Sequence, residues 1–180
     1  MVKVIIPPEK EPVEVDELRQ WMQCAPITPE QEPLATAMLK AGREEAEAYQ
    51  NAAYCEQTLQ IAPDNLSGAI VLPRPPFRAL VSVICYSPDG GQTDITDLVS
   101  VDDVAFPAEL HLKDDAAISC PLRKENPILI TYTAGYEEVP ERVRHAILIY
   151  ATWAWLNRSG GEPLPVAFYD LLRKRRVVPV

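Results

Sequence analysis

The spacing of apolar residues changes twice along this chain. Up to about residue 54 it is helical, from Gln57 to Ala134 it is largely alternating, and from Val143 it is helical again. Three blocks follow from that pattern. In the first, Val15–Met22 carries Leu18, Trp21 and Met22 as a stripe behind the acidic first-turn residues Asp16 and Glu17, which predicts a short helix. A longer helix follows, with an effective start near Pro33 and an end near Tyr54. Its expected inner stripe is Leu34, Met38, Ala41, Ala48 and Ala52, with Glu44, Glu45 and Glu47 outside. So narrow a stripe of small residues suits a helical hairpin with the first helix. Ahead of both, Val4–Ile6 either joins a sheet edge or remains an arm.

The middle block reads as strands. Thr58–Ile61, Ala69–Leu72, Leu80–Tyr86, Thr93–Val99, Glu109–Lys113 and Pro127–Thr133 alternate or are rich in β-branched residues. Leu80–Tyr86 is expected to place Val81, Val83 and Cys85 on one face. Ser87-Pro88-Asp89-Gly90-Gly91 then turns it into a hairpin. Pro73-Arg74-Pro75-Pro76-Phe77 reads as a stiff extended corner.

The third block holds the most apolar helix, over Gly135–Arg158. Its run Ala146–Leu156 contains eleven residues without a charge, bearing Ile147, Tyr150 and Ala154 on one side and Ile149, Trp153 and Leu156 on another. A helix apolar all round is enclosed by a core, spans a membrane or meets another subunit. Eleven residues fall well short of the roughly 20 a bilayer span needs, so no membrane role is expected. Pro165 to about Arg173 predicts a short last helix. Helices, then strands, then helices without a βαβ rhythm define an α+β chain. It has an N-terminal helical hairpin, central antiparallel strands and hairpins, a long apolar C-terminal helix and a short terminal helix. Residues 1–180 are expected to form one domain, with a hairpin over 1–56, a β-rich insertion over 57–134, helices over 135–176 and a tail over 177–180.

Charge narrows the function classes. The net charge is −9, and it is uneven. Residues 1–60 hold 5 basic and 11 acidic side chains, residues 61–135 hold 5 and 10, and residues 136–180 hold 7 and 5. Such a chain does not grip nucleic acid by its phosphates, although it could border it. Cys24, Cys55, Cys85 and Cys120 lie about thirty residues apart with no CxxC pair, and the opening VKVII-Pro has no signal-peptide pattern. Reduced thiols are expected, with neither disulfides nor structural zinc.

No catalytic constellation assembles. His111 and His145 stand apart from any nucleophile motif, and GxSxG, P-loop and GxGxxG patterns are absent. Asp94, Asp97, Asp102 and Asp103 fit no calcium loop and read as solvated turn carboxylates, with a metal-dependent nucleic-acid accessory as the competing reading. No enzyme, metal or cofactor is expected. Arg173-Lys174-Arg175-Arg176, flanked by Leu171-Leu172 and Val177-Val178, is either a solvated tail or a docking peptide for an acidic partner.

The order of segments resembles the head–tail connector (adaptor, or head-completion) family of tailed bacteriophages and prophages. The resemblance rests on the helix around Glu17-Leu18, AGREEAEAYQ, Gln57-Thr58-Leu59, LPRPPFRALVSVICYSPDGG, ITYTAGYEEVPERVRHAILIYATWAWLNR and LLRKRR, in that order along nearly the whole chain. It implies a virion structural protein at the head–tail junction, assembled in the host bacterial cytoplasm. It also implies a homo-oligomeric ring, commonly about twelve subunits, under the portal protein. The ring extends a channel through which DNA passes without specific binding, and offers a surface for a stopper or tail-completion protein. A stopper or tail-completion role in the same neck is the alternative. The resemblance gives Arg173, Lys174, Arg175 and Arg176 a portal-docking role and puts Trp153 or Trp155 near a subunit boundary. Pro33, inside the family's usual second helix, departs from the pattern.

Overall fold

The computed structural model describes residues 2–23, 27–118, 121–158 and 160–173. They divide into two units. One is built from residues 1–9 and 56–136, the other from 10–55 and 137–180.

The first unit is made of sheets whose strand neighbours are all antiparallel. Strands β1 (Val2–Ile6), β2 (Gln57–Ile61), β4 (Phe77–Tyr86), β5 (Gln92–Asp94) and β8 (Ile128–Ala134) form one sheet in the order β1-β2-β8-β4-β5. Strands β3 (Ile70–Val71), β6 (Val99–Asp102) and β7 (Glu109–Leu112) form a second in the order β3-β7-β6. The centre of the larger sheet is β8, where Ile128, Ile130, Tyr132 and Ala134 are buried and the residues between them are not. Registers Leu59–Tyr132, Ile61–Ile130 and Cys85–Ile128 bring the buried residues of β2 and β4 onto the same face. Period-two alternation thus becomes one apolar face and one mixed face, on which Gln60 Nε2 donates to Thr131 Oγ1 at 3.1 Å.

Three expectations for this unit need correction. Val81 does not join Val83 and Cys85. The register slips between Leu80 and Ser82, and Val81 is left 52% exposed. A bulge turns the residues before it to the other face. Thr93–Val99 is not one strand: after β5 the backbone makes a 3-10 turn at Thr96–Leu98 and re-enters as β6 in the smaller sheet. Asp94 accepts the Thr96 amide (2.8 Å) and hydroxyl (2.6 Å), and Thr96 Oγ1 accepts the Val83 amide at 2.9 Å. These local bonds replace the ladder. The proline corner is not continuously extended either, because Arg74 has φ +58°.

The second unit holds α1 (Val15–Trp21), α2 (Glu32–Gln50), α3 (Glu141–Leu156) and α4 (Val166–Leu172). A 3-10 turn at Pro29–Gln31 leads into α2, with the Thr28 amide donating to Gln31 Oε1 at 3.0 Å and Pro33 in the first helical turn. The helix stops at Gln50 and not near Tyr54, because Asn51 takes the left-handed conformation, φ 53°. Asparagine tolerates that region, and it is a common helix stop.

The buried stripe of α2 is also offset from the expected one. Ala35, Leu39, Gly42 and Ala46 face inward with the polar Arg43, Glu47 and Gln50, whereas Leu34 and Ala48 are exposed. Gly42 sets the approach of α2 to α3, since a Cβ there would lie 3.0 Å from Tyr150 Cδ1 and 3.2 Å from its Cβ. Gly42→Val therefore gains helix propensity but overpacks the contact, and should cost about 1–3 kcal/mol in urea denaturation. Unchanged stability would show that α3 yields there.

In α3, Pro140 is the cap and Glu141 the first helical residue. The uncharged run is not enclosed all round by this chain. Val143, Ala146, Ile147, Leu148, Ala151 and Trp155 are buried, whereas Trp153 is half-buried and Leu156 is 65% exposed.

Candidate assembly surfaces

An ionic cluster anchors the helical unit. Arg43 Nε meets Glu11 Oε2 at 2.7 Å, and Arg43 NH1 meets Glu47 Oε2 at 2.8 Å. Glu47 Oε1 accepts the Tyr54 amide at 2.9 Å, and the Tyr54 hydroxyl donates to Gln50 Oε1 at 2.8 Å. Gln50 Nε2 donates to the Leu172 carbonyl, tying α2 to the end of α4. Burial works against the charge on Arg43. The hydrogen bond that Arg43 donates to Glu11 and the fields of Glu47, Glu11 and Glu44 more than offset it, so its pKa lies above the ordinary value. Arg144 makes a second tie, donating to the Pro12 carbonyl and meeting Glu17 at 2.6 Å.

On this frame the two candidate tryptophans take different positions. Trp155 is only 7% exposed, and the Arg158 guanidinium lies over its ring, 4.1 Å from the centroid. Trp153 is half-buried, 5.8 Å from the Tyr150 ring, with Nε1 donating to the Glu162 carbonyl at 3.2 Å. Tyr150 in turn packs 5.8 Å from Phe168 of α4. Exposed Leu156 at the end of α3 and Val166 at the start of α4, 67% exposed, extend the apolar surface of this unit. Of the basic cluster, Arg173 is described: it is exposed and pairs with Asp170 at 3.1 Å. Lys174, Arg175 and Arg176 lie outside the described residues.

The sheet unit carries surfaces that the pattern of the sequence does not reveal. Edge strand β1 leaves Val4, Ile5 and Ile6 between 39% and 55% exposed. The β6–β7 hairpin ends in a tip where Val104 is 90% and Phe106 60% exposed. Asp102 Oδ1 accepts the amides of Val104 (3.0 Å) and Ala105 (3.2 Å), which fixes the tip's shape. On the mixed face of the larger sheet, a cleft of about 260 Å³ is lined by Lys3, Gln60, Ile61, Arg123 and Leu129, among others. The only hint of the tip in the sequence is the short stretch Val104-Ala105-Phe106-Pro107 after Asp102-Asp103, too brief to show a helical or strand period.

The groups considered for chemistry are dispersed. Asp94 and Asp102 hold local turns, and no three His, Cys, Asp or Glu side chains converge as metal ligands among the described residues. His111 pairs with Glu109 at 3.5 Å on a half-exposed strand face, and His145 lies 5.8 Å from the Trp21 ring. Burial pushes the Cys55 thiol up to about 11, which leaves almost no thiolate at neutral pH. Burial also raises the Tyr132 phenol, whose hydroxyl donates to the Pro73 carbonyl at 2.6 Å. No helix among the described residues is long and apolar enough to cross a membrane.

No family model matches the chain, and no curated protein does. Solved structures do. The chain is similar over 100% of its length to 97% of a chain in the neck of the empty gene transfer agent (GTA) particle computed with C6 symmetry, at TM-score 0.80 and 16% identity. The same coverage and identity hold for chains in the virion of the native GTA particle, TM-score 0.79, and in the neck of that particle computed with C12 symmetry, TM-score 0.77. The fold is therefore shared with chains of GTA particle necks, as the resemblance to head–tail connectors leads one to expect.

Proposed function

We propose that this chain is a structural neck component of a phage-like particle. In this reading it is a head–tail connector that assembles as a ring of about twelve copies under the portal and extends the DNA channel. The observation that carries the reading is the match of the whole chain to neck proteins, including one in a C12 neck, with 97% of that chain covered. A net charge of −9 suits a channel wall that does not hold phosphates. The outward side of α3, with Trp153 and Leu156, is the surface we assign to neighbouring subunits. The segment from Arg173 is assigned to the portal, its charge steering the encounter. No catalytic step is assigned to any residue.

Electron microscopy of the chain mixed with its portal tests this. A ring seated on the portal is expected, and deletion of Arg173–Val180 should weaken docking in a salt-sensitive manner while leaving the fold intact. A chain that stays monomeric and never binds portal overturns the proposal. Binding only to a preformed neck would instead make it a stopper or tail-completion protein.

A further inference from the structure

Two surfaces of the sheet unit, one apolar and acidic and the other lined by cations, are left exposed among the described residues. The first is the β6–β7 tip, where Val104 and Phe106 project from a hairpin held by Asp102, with exposed Asp103 beside them. The second is the cleft on the mixed face of the larger sheet. Its register places Lys3 opposite Gln60, and Gln60 opposite Thr131, so Lys3, Gln60 and Leu129 share that face. Arg123 closes one side, its guanidinium over the Tyr86 ring at 4.2 Å and donating to the Asn126 carbonyl at 2.9 Å. Among the described residues neither Lys3 nor Arg123 forms an ion pair with a carboxylate.

We propose that the β6–β7 tip of one copy seats in the Lys3–Arg123 cleft of a second copy of this chain. The occupant follows from charge and shape together. The tip is apolar with a carboxylate at its shoulder, and the cleft is apolar at Leu129 with two cations at its rim. The cleft's volume of about 260 Å³ is room for an aromatic ring. Two different patches that fit each other make a heterologous contact, the kind that closes identical subunits into a ring. Burying Phe106 supplies the apolar anchor, and the Asp103–Lys3 pairing sets orientation. This inference rests on the connector reading and adds to it a second contact between subunits, beside the one assigned to α3.

The test uses the full chain, alone and on its portal, followed by sedimentation, with circular dichroism as the check on folding. Phe106→Ser and Lys3→Glu alter exposed side chains on opposite sides of the proposed contact. Each should raise the concentration of half-assembly about tenfold or more, with the fold unchanged. Adding Asp103→Lys to Lys3→Glu should recover most of the loss. In an equimolar mixture of the two single variants, tip–cleft contacts should form only in pairs, because only one tip and one cleft remain competent, and ring assembly should stay well below that of the parent chain. Variants that are folded and assemble like the parent chain overturn this contact and leave the connector reading standing. A parent chain that does not assemble even on its portal overturns both.

Discussion

Arg43→Ala should destabilise the helical unit by about 3–5 kcal/mol, the usual cost of removing one partner from a buried ion pair. The Arg43 and Glu47 side chains are 3% and 4% exposed. Without the guanidinium, Glu47 keeps its bond from the Tyr54 amide but has no cation at 2.8 Å to balance its charge. The damage should extend beyond one pair, because Gln50 on the same helix face links Tyr54 to the Leu172 carbonyl. Glu11→Gln should cost less, since Glu11 is 21% exposed and water can replace part of what is lost. A double replacement of Arg43 and Glu47 by Met and Leu should recover part of the stability, because that buried charge pair is gone, although the buried Tyr54 amide then loses its Glu47 acceptor. Chemical denaturation of the three variants checks the order. If Arg43→Ala and Glu11→Gln cost the same, the burial of the cluster is not what makes it matter.

That cluster also explains why α2 was harder to read from its sequence than the sheets. The strands of the larger sheet are legible because alternation alone places Ile128, Ile130 and Tyr132 on one face. In α2 the inward face carries Arg43, Glu47 and Gln50, which hydropathy assigns to solvent. Only their partners, Glu11, Tyr54 and the Leu172 carbonyl, make burial acceptable. Those partners lie up to 122 residues away. The expected stripe through Leu34 and Ala48 followed small apolar residues and missed that seam. The bulge at Leu80–Ser82 and the break at Thr96 are hidden in the sequence for a related reason: local backbone and hydroxyl bonds override period two without altering composition. Of the candidate surfaces, the tryptophan pair was legible as apolar helix, but its division into inner and outer members needs the packing. The Val104–Phe106 tip was not legible, because exposure in a turn leaves no periodic mark.

The division between the tryptophans leads to the second large effect. Trp155→Ala should cost about 3–5 kcal/mol of folding stability, as expected for emptying a buried aromatic site, and it also removes the platform on which Arg158 rests. Trp153→Ala should cost far less, because its ring is half-buried and its indole N–H bonds only the Glu162 carbonyl within the described residues. On the proposed ring the order reverses. Trp153 lies on the outward side of α3, where a neighbour would complete its burial, and large aromatic side chains at such centres carry much of the association energy. Trp153→Ala should therefore leave the thermal midpoint within a few degrees of the parent while raising the concentration of half-assembly about tenfold or more. Sedimentation and thermal melts on the same preparations separate the two quantities. Loss of stability without loss of assembly at Trp153 would mean that its ring completes the core of its own subunit, and the neighbour would have to be sought at Leu156 and Val166 instead.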